Sequence, residues 1–375
     1  MSVFARLGLE TVINASGKMT ALGASAVSPE VADVLAKAAG DYVDIERLLI
    51  RAGEHIAQLI GAEAACPTTG AAAGIAISVA ACITKGKPHL VELMPDSENL
   101  PNEVIIAKGH SVNFGGSVSQ MVRIGGGRLI EVGHANSVQP WHVRGAINPK
   151  TCALLYVKSH HTVQKGMVSL ADMIAISKET GIPLIIDAAA EEDLSKYHRM
   201  GADLVVYSGG KAIEGPTSGF VCGRKELILA VHAQYKGIAR PMKIGKEGIM
   251  GLVAAVERYL SLPHQKLAAE NRAKMEWLCD ALSGIPHIVA RIAQDEAGRE
   301  IYRCQVSLDE QALGMTAAQV IHQLETGRPA IYTRNHQSNL GIIAVDPRPL
   351  LPGQEQIVAQ RLVEILSKRE VSCNG

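Results

Sequence analysis

The chain lacks a surplus of charge of either sign: Lys plus Arg and Asp plus Glu each number 37 among its 375 residues. A protein built to grip nucleic acid needs a basic excess or a basic patch, so the balance argues against that class. It also lacks a disulfide framework. Its seven cysteines (66, 82, 152, 222, 279, 304 and 373) are scattered and odd in number, with no Cys-x-x-Cys. That suits reduced thiols, most of them small buried apolar residues. The opening Met-Ser-Val-Phe-Ala-Arg-Leu-Gly-Leu-Glu has no charged-then-apolar signal pattern. The stretch from Ala64 to Thr84 carries no charge and raises the question of a membrane span. Pro67, Thr68, Thr69, Gly70 and Gly74 interrupt it, alanine dominates it, and it reads as a loop running into a buried helix. Internal repeats and low-complexity linkers are missing. The expectation is a cytoplasmic protein with neither a membrane nor a nucleic acid as partner.

What is present is an alternation of short β-branched runs with helical patterns. Val104-Ile105-Ile106, Ala153 to Val157, Pro183 to Asp187, Leu204 to Tyr207 and Gly219 to Gly223 read as strands. Leu170 to Thr180 is amphipathic and stops at Gly181. Such alternation implies a mainly parallel sheet covered on both faces. Beyond about residue 245 the pattern changes to helices over Gly248–Ser261, Lys266–Ser283 and Gln354–Ser367, with strands at Ile301–Val306 and Ala330–Arg334. This predicts an N-terminal arm (1–25), a large cofactor-binding domain (26–247) and a smaller α+β domain (248–375).

Three features carry chemistry. Asp187 ends a buried strand, where ligands bind in α/β sheets, although an Asp there also serves as a helix N-cap. Lys211 lies in Tyr207-Ser208-Gly209-Gly210-Lys211, where two glycines permit tight backbone geometry and close ligand approach and Ser208 offers a hydroxyl. The rival reading is a solvated lysine on a surface loop. Upstream, Thr68-Thr69-Gly70-Ala71 opens an Ala-rich helix whose free N–H groups and dipole favour an anion; ordinary N-capping by Thr is the rival. Together the three match the needs of pyridoxal 5'-phosphate: a lysine for the Schiff base, an acid for the ring nitrogen and a cradle for the phosphate. Asp187 would keep that nitrogen protonated. Lys211 would carry the cofactor and then serve as base at the substrate Cα.

Further segments resemble one family. Val12-Ile13-Asn14-Ala15-Ser16-Gly17 is similar to the "VINATG" opening of the selenocysteine-synthase-like family of fold-type I pyridoxal-phosphate enzymes. Glu131-Val132-Gly133 with Asn136 and Ala146-Ile147, Ser208 to Lys211 with Gly215-Pro216 and Gly219, and Arg240, Lys243 and Lys246 resemble its later motifs. The resemblance covers most of residues 11–260. It implies an aminotransferase-like α/β fold, a mainly parallel sheet of the seven-stranded type flanked by helices with a smaller α+β C-terminal domain, and at least a homodimer. It also implies that His110 stacks on the cofactor ring and that Arg334 forks onto a substrate carboxylate. His160, His161, Lys165 and Arg240 are then candidates for substrate or phosphate contacts. Adjacent His160 and His161 have no matching third ligand, so no metal is expected.

The chain departs from the family where selenocysteine synthase carries an extra N-terminal domain that helps bind tRNA. The cradle and the segment after Asp187, Ala188-Ala189-Ala190, also differ from the family wording. The C-terminal Pro329–Arg334 and Val345–Leu350 are similar to the family's small-molecule branch. The expected function is therefore β-elimination of water from a small phosphorylated amino sugar acid, followed by release of its nitrogen as ammonia. Selenium transfer on seryl-tRNA, aldol cleavage or racemisation of a small amino acid, and a silent partner protein of the same fold are the alternatives.

Overall fold

The computed structural model of the protein describes residues 2–159, 161–295 and 298–367. The chain divides into two compact units, Ser25–Ser261 and Met1–Ala24 with Leu262–Gly375. The N-terminal segment with strand β1 (Ile13–Ala15) thus groups with the C-terminal part of the chain.

The larger unit is built on seven strands: β2 (Ala64–Thr68), β3 (Glu103–Ala107), β4 (Arg128–Val132), β5 (Thr151–Val157), β6 (Leu184–Asp187), β7 (Leu204–Ser208) and β8 (Gly219–Gly223). Their order is β2-β8-β7-β6-β5-β3-β4. β8 runs antiparallel to both neighbours, and the pairs from β7 to β4 are parallel. The interior strands are buried on both faces, as their unbroken Val, Ile and Leu runs require.

The uncharged stretch that read as a loop leading into a helix is partly a strand. Ala64–Thr68 forms β2, which among the described residues pairs only with β8 and closes one edge of the sheet. Pro67 lacks an N–H, and an edge strand tolerates that loss. The Ala71–Thr84 helix follows and is buried on nearly every side, which explains an apolar pattern without a polar stripe. Gly74 lets it approach the sheet: a Cβ there would lie 2.5 Å from a Val206 methyl. Among the described residues no helix is long and apolar enough to cross a membrane.

The Leu170–Thr180 helix keeps its expected limits. Ser169 accepts the Asp172 N–H at its start, and Gly181 takes a left-handed φ of 70° at its end.

The smaller unit holds a three-stranded antiparallel sheet of β9 (Ile288–Gln294), β10 (Tyr302–Leu308) and β12 (Ile342–Val345), in the order β12-β10-β9. β1 pairs in parallel with β11 (Ile331–Thr333). Cys304 and Val306 point from β10 into a core shared with Met275, Leu278, Val358 and Leu362 of the His264–Leu282 and Gln354–Leu366 helices. A buried ionic network lies in the same unit. Arg303 donates to Asp346 (2.8 Å) and Asp295 (3.0 Å), and Arg348 donates to Asp346 (2.9 Å).

Candidate active site

The parallel strands β5, β6 and β7 end side by side, with Val157, Asp187 and Val206 in register. Asp187 is the last residue of β6 and is buried. Its Oδ1 accepts the Ala189 N–H (3.0 Å), while its carbonyl accepts the Lys158 N–H (2.9 Å). Burial pushes the carboxyl above its ordinary range, and the Lys211 charge and the Ala189 N–H oppose that rise. The fold therefore brings together two groups 24 positions apart, Asp187 and Lys211.

Lys211 follows β7 through a turn that only glycine can make. The Gly209 N–H donates to the Ser218 carbonyl (2.8 Å), and the Gly215 N–H donates back to Gly209 (2.7 Å). A Cβ on Gly209 would lie 2.2 Å from the Ser218 hydroxyl oxygen, so close approach, not φ, demands glycine here. The Ser208 N–H donates to the Ala189 carbonyl (3.3 Å) and ties the lysine turn to the loop after Asp187. That loop is held from three sides by buried tyrosines. Tyr197 donates to the Glu191 carboxylate, Tyr207 to the Asp193 carbonyl (3.1 Å) and Tyr259 to the Glu192 carbonyl (2.6 Å).

Gly219 sits where the lysine turn meets the start of the Ala71–Thr84 helix. A Cβ on it would be 2.5 Å from the Tyr207 oxygen and 3.0 Å from the Gly70 carbonyl carbon. Gly70 caps that helix with no side chain, and the first N–H to return to it is that of Gly74 (2.9 Å). The Ala71, Ala72 and Ala73 N–H groups have no intrahelical acceptor. The threonine hydroxyls are engaged elsewhere: Thr68 donates to the Gly70 carbonyl (3.0 Å) and Thr69 to the Met242 carbonyl (3.1 Å). Main-chain N–H groups, not threonine donors, are what this helix start presents to an anion.

The Thr69–Met242 bond also sets the turn containing exposed Arg240 beside the helix start. Lys246 is committed to another task, donating to the Ala39 carbonyl (2.6 Å) and to that of Asp41.

His110 lies in the short turn after β3, is 1% exposed, and has neither ring nitrogen hydrogen-bonded. Burial, and then the Lys158 charge, push its pKa from 6.5 down to about 4. Its ring meets Tyr156 edge-on at 4.5 Å. Tyr156 and Lys158 belong to no motif of the sequence; the signal for both is their place at the carboxyl end of the strand beside the one that ends in Asp187. His161 and Lys165 are exposed on the loop after β5, where the His161 N–H donates to the Ser159 hydroxyl (3.2 Å). His160 lies outside the described residues. Arg334 belongs to the smaller unit, where it bridges Ala344 and lines a cavity of about 50 Å³ with Arg303, Gln305 and Gln337. No cluster of three metal-ligating side chains occurs among the described residues.

The larger unit thus offers a primary amine, a buried carboxylate, an uncapped helix start and an unpaired imidazole. A model of the L-seryl-tRNA selenium transferase (SelA) family matches residues 12–338. The chain is 48% identical over 364 residues to a D-glucosaminate-6-phosphate ammonia lyase from Salmonella typhimurium, covering 97% of this chain and 98% of that one. It is 44% identical over 365 residues to a 5'-C-glycyluridine monooxygenase-decarboxylase from a Streptomyces species, covering 97% and 92%. The solved structure of D-glucosaminate-6-phosphate ammonia-lyase matches with a TM-score of 0.90 at 47% identity, over 98% of both chains. Aspartate aminotransferase from Thermus thermophilus matches at a TM-score of 0.55 and 15% identity, over 97% of this chain and 94% of that one. That likeness is one of fold alone, and it bears out the aminotransferase-like architecture expected from the sequence.

Proposed function

The chain belongs to the L-seryl-tRNA selenium transferase (SelA) family, and from that membership we propose that it is a pyridoxal-phosphate-dependent ammonia-lyase. Its substrate in this reading is D-glucosaminate-6-phosphate, and its products are 2-keto-3-deoxygluconate-6-phosphate and ammonia. The observation that carries the reading is a lysine, Lys211, whose charge acts on buried Asp187, in a chain nearly half identical to an enzyme named for that reaction.

The residues present fit the cofactor. His110 has two buried ring nitrogens without a hydrogen-bond partner among the described residues, which is costly unless a ligand group hydrogen-bonds to them. The helix start at Gly70 leaves N–H groups for a phosphate. Asp187 is buried with a single N–H on its carboxylate and gains from a cationic ring nitrogen. When bound, pyridoxal phosphate supplies a carbon for covalent attachment of an amine and a conjugated ring that accepts the electron pair left at Cα.

This chain's own residues do the rest. Asp187 holds the proton on the ring nitrogen. Ala71 to Ala73 fix the phosphate through main-chain N–H groups, with Thr69 and Gly70 setting their position and Ser208 beside the lysine turn. His110 covers the ring face. Lys211 carries the cofactor, yields to the substrate amine, and as the freed amine takes the proton from Cα. The C3 hydroxyl leaves as water, and Lys211 takes back its place on the cofactor and so frees the product as an enamine. The enamine tautomerises, water adds at C2, and the amino group departs as ammonia. Arg240, His161 and Lys165 are the candidates for contacts to the substrate's phosphate and hydroxyls. The fully exposed Tyr42 and the exposed Phe4 and Leu7 favour a homo-oligomer.

The decisive assay gives purified protein with pyridoxal phosphate to D-glucosaminate-6-phosphate and measures keto acid and ammonia in equal amounts. Absence of both removes this substrate. The 44% identical relative supports a second reading on the same cofactor. Oxygen uptake and carbon dioxide release from 5'-C-glycyluridine, without ammonia from the sugar acid, would select it. In either case Lys211→Ala abolishes the borohydride-reducible attachment of pyridoxal phosphate.

A further inference from the structure

Cys279 on the His264–Leu282 helix and Cys304 on β10 lie side by side in the smaller unit, their sulfur atoms 3.2 Å apart. A disulfide needs about 2.05 Å, so the two sulfurs would have to close by about 1 Å to be joined. The two differ in access: Cys304 is fully buried, while Cys279 is only partly covered. The partnership also separates their acidities. The Cys304 S–H stabilises a thiolate on Cys279 and draws its pKa below the ordinary value. Cys304 is pushed the other way, by the same contact and by burial.

The other described cysteines are unlike this pair. Cys66, Cys82, Cys152 and Cys222 are all buried. Burial pushes their thiols up, to about 12 for Cys66 and Cys152, so they remain protonated and unreactive.

We propose that Cys279 and Cys304 are a peroxide-oxidisable thiol pair that closes a reversible disulfide between this helix and β10. The Cys279 thiolate attacks one oxygen of a hydroperoxide, forming an S–O bond as the O–O bond breaks. Hydroxide leaves and takes the proton released when Cys279 ionised. The Cys304 sulfur then attacks the Cys279 sulfur, the S–S bond forms, and the second oxygen departs as water with the Cys304 proton. Two thiols are oxidised and one peroxide is reduced to two waters. The bond would join two positions 25 apart in sequence, with Cys304 in the core of the smaller unit and Cys279 packed against it.

The test treats the full-length protein with a small excess of hydrogen peroxide, blocks remaining thiols, and maps it without reduction. The expected result is a peptide pair joined through Cys279 and Cys304, a mass lower by two hydrogens, and full reversal by dithiothreitol. Cys279→Ser, at a partly covered position, abolishes the cross-link. Cys304→Ser leaves a dimedone-reactive sulfenic acid on Cys279. The proposal is overturned by dimedone labelling of Cys279 in the unmodified sequence with no cross-link, by the same mass loss persisting in Cys279→Ser, or by no oxidation of either residue. None of these outcomes depends on which reaction the larger unit catalyses.

Discussion

The His110 imidazole meets the Tyr156 ring edge-on, with centroids 4.5 Å apart and planes at 87°. That contact holds an imidazole in a buried place where protonation is costly, and its pKa falls from 6.5 to about 4. Between these two values the unfolded chain binds a proton that the folded chain does not. The stability His110 contributes is therefore present above pH 6.5 and is lost as pH falls to about 4, amounting to about 3 kcal/mol. Cofactor-free His110→Phe should lose less stability across that window than the parent. Denaturant melts at a series of pH values check this, and equal slopes would refute it.

Asp187→Asn separates attachment from chemistry. Lys211 still binds pyridoxal phosphate, so borohydride trapping persists, while turnover falls by at least about a hundredfold because the ring nitrogen loses its anionic partner. Stability moves the opposite way. The Asp187 carboxyl is raised by burial, so its favourable contribution is complete below the ordinary carboxylate pKa and is lost as pH rises through the raised value. Cofactor-free Asp187→Asn should be more stable than the parent at pH 7 and not at pH 3. Thermal melts at the two pH values decide it.

Gly219→Ala tests the seam between the lysine turn and the helix start. The added Cβ would sit 2.5 Å from the Tyr207 carbonyl oxygen and 3.0 Å from Gly70. Main chain has to move, at about 1–3 kcal/mol. Displacing Gly70 disturbs the N–H groups behind it, so the Kd for pyridoxal phosphate should rise about tenfold. Absorbance titration measures this; an unchanged Kd would mean that the helix start does not hold the phosphate.

Arg303→Met probes the smaller unit. Burial alone would raise the Asp346 carboxyl, yet the Arg348 and Arg303 guanidiniums outweigh it and hold it well below the ordinary range. Removing one partner from so buried a network should destabilise the protein by about 3–5 kcal/mol. Arg51→Met breaks only an exposed pair with Glu54 and should change stability by less than about 0.5 kcal/mol. Chemical denaturation of the two variants compares them directly.

Much of this protein is local, and the sequence alone determined it. The apolar runs at 153–157, 184–186 and 204–207 are buried strands because nothing else hides a continuous apolar run so short. The Leu170–Thr180 helix is bounded by its own Ser169 and Gly181. Chain order and residue type placed Asp187 at a strand end and Lys211 in a glycine turn. Tertiary structure decided what depends on neighbours distant in sequence. Ala64–Thr68 is a strand only because β8 accepts it at an edge. Thr69 and Lys246 are tied to main-chain carbonyls because Met242, Ala39 and Asp41 were brought to them. Gly219 became a seam between cradle and lysine, and Cys279 met Cys304, through packing across the fold. Periodicity reports which face of an element is buried; which residue lies across the contact is set by the fold as a whole.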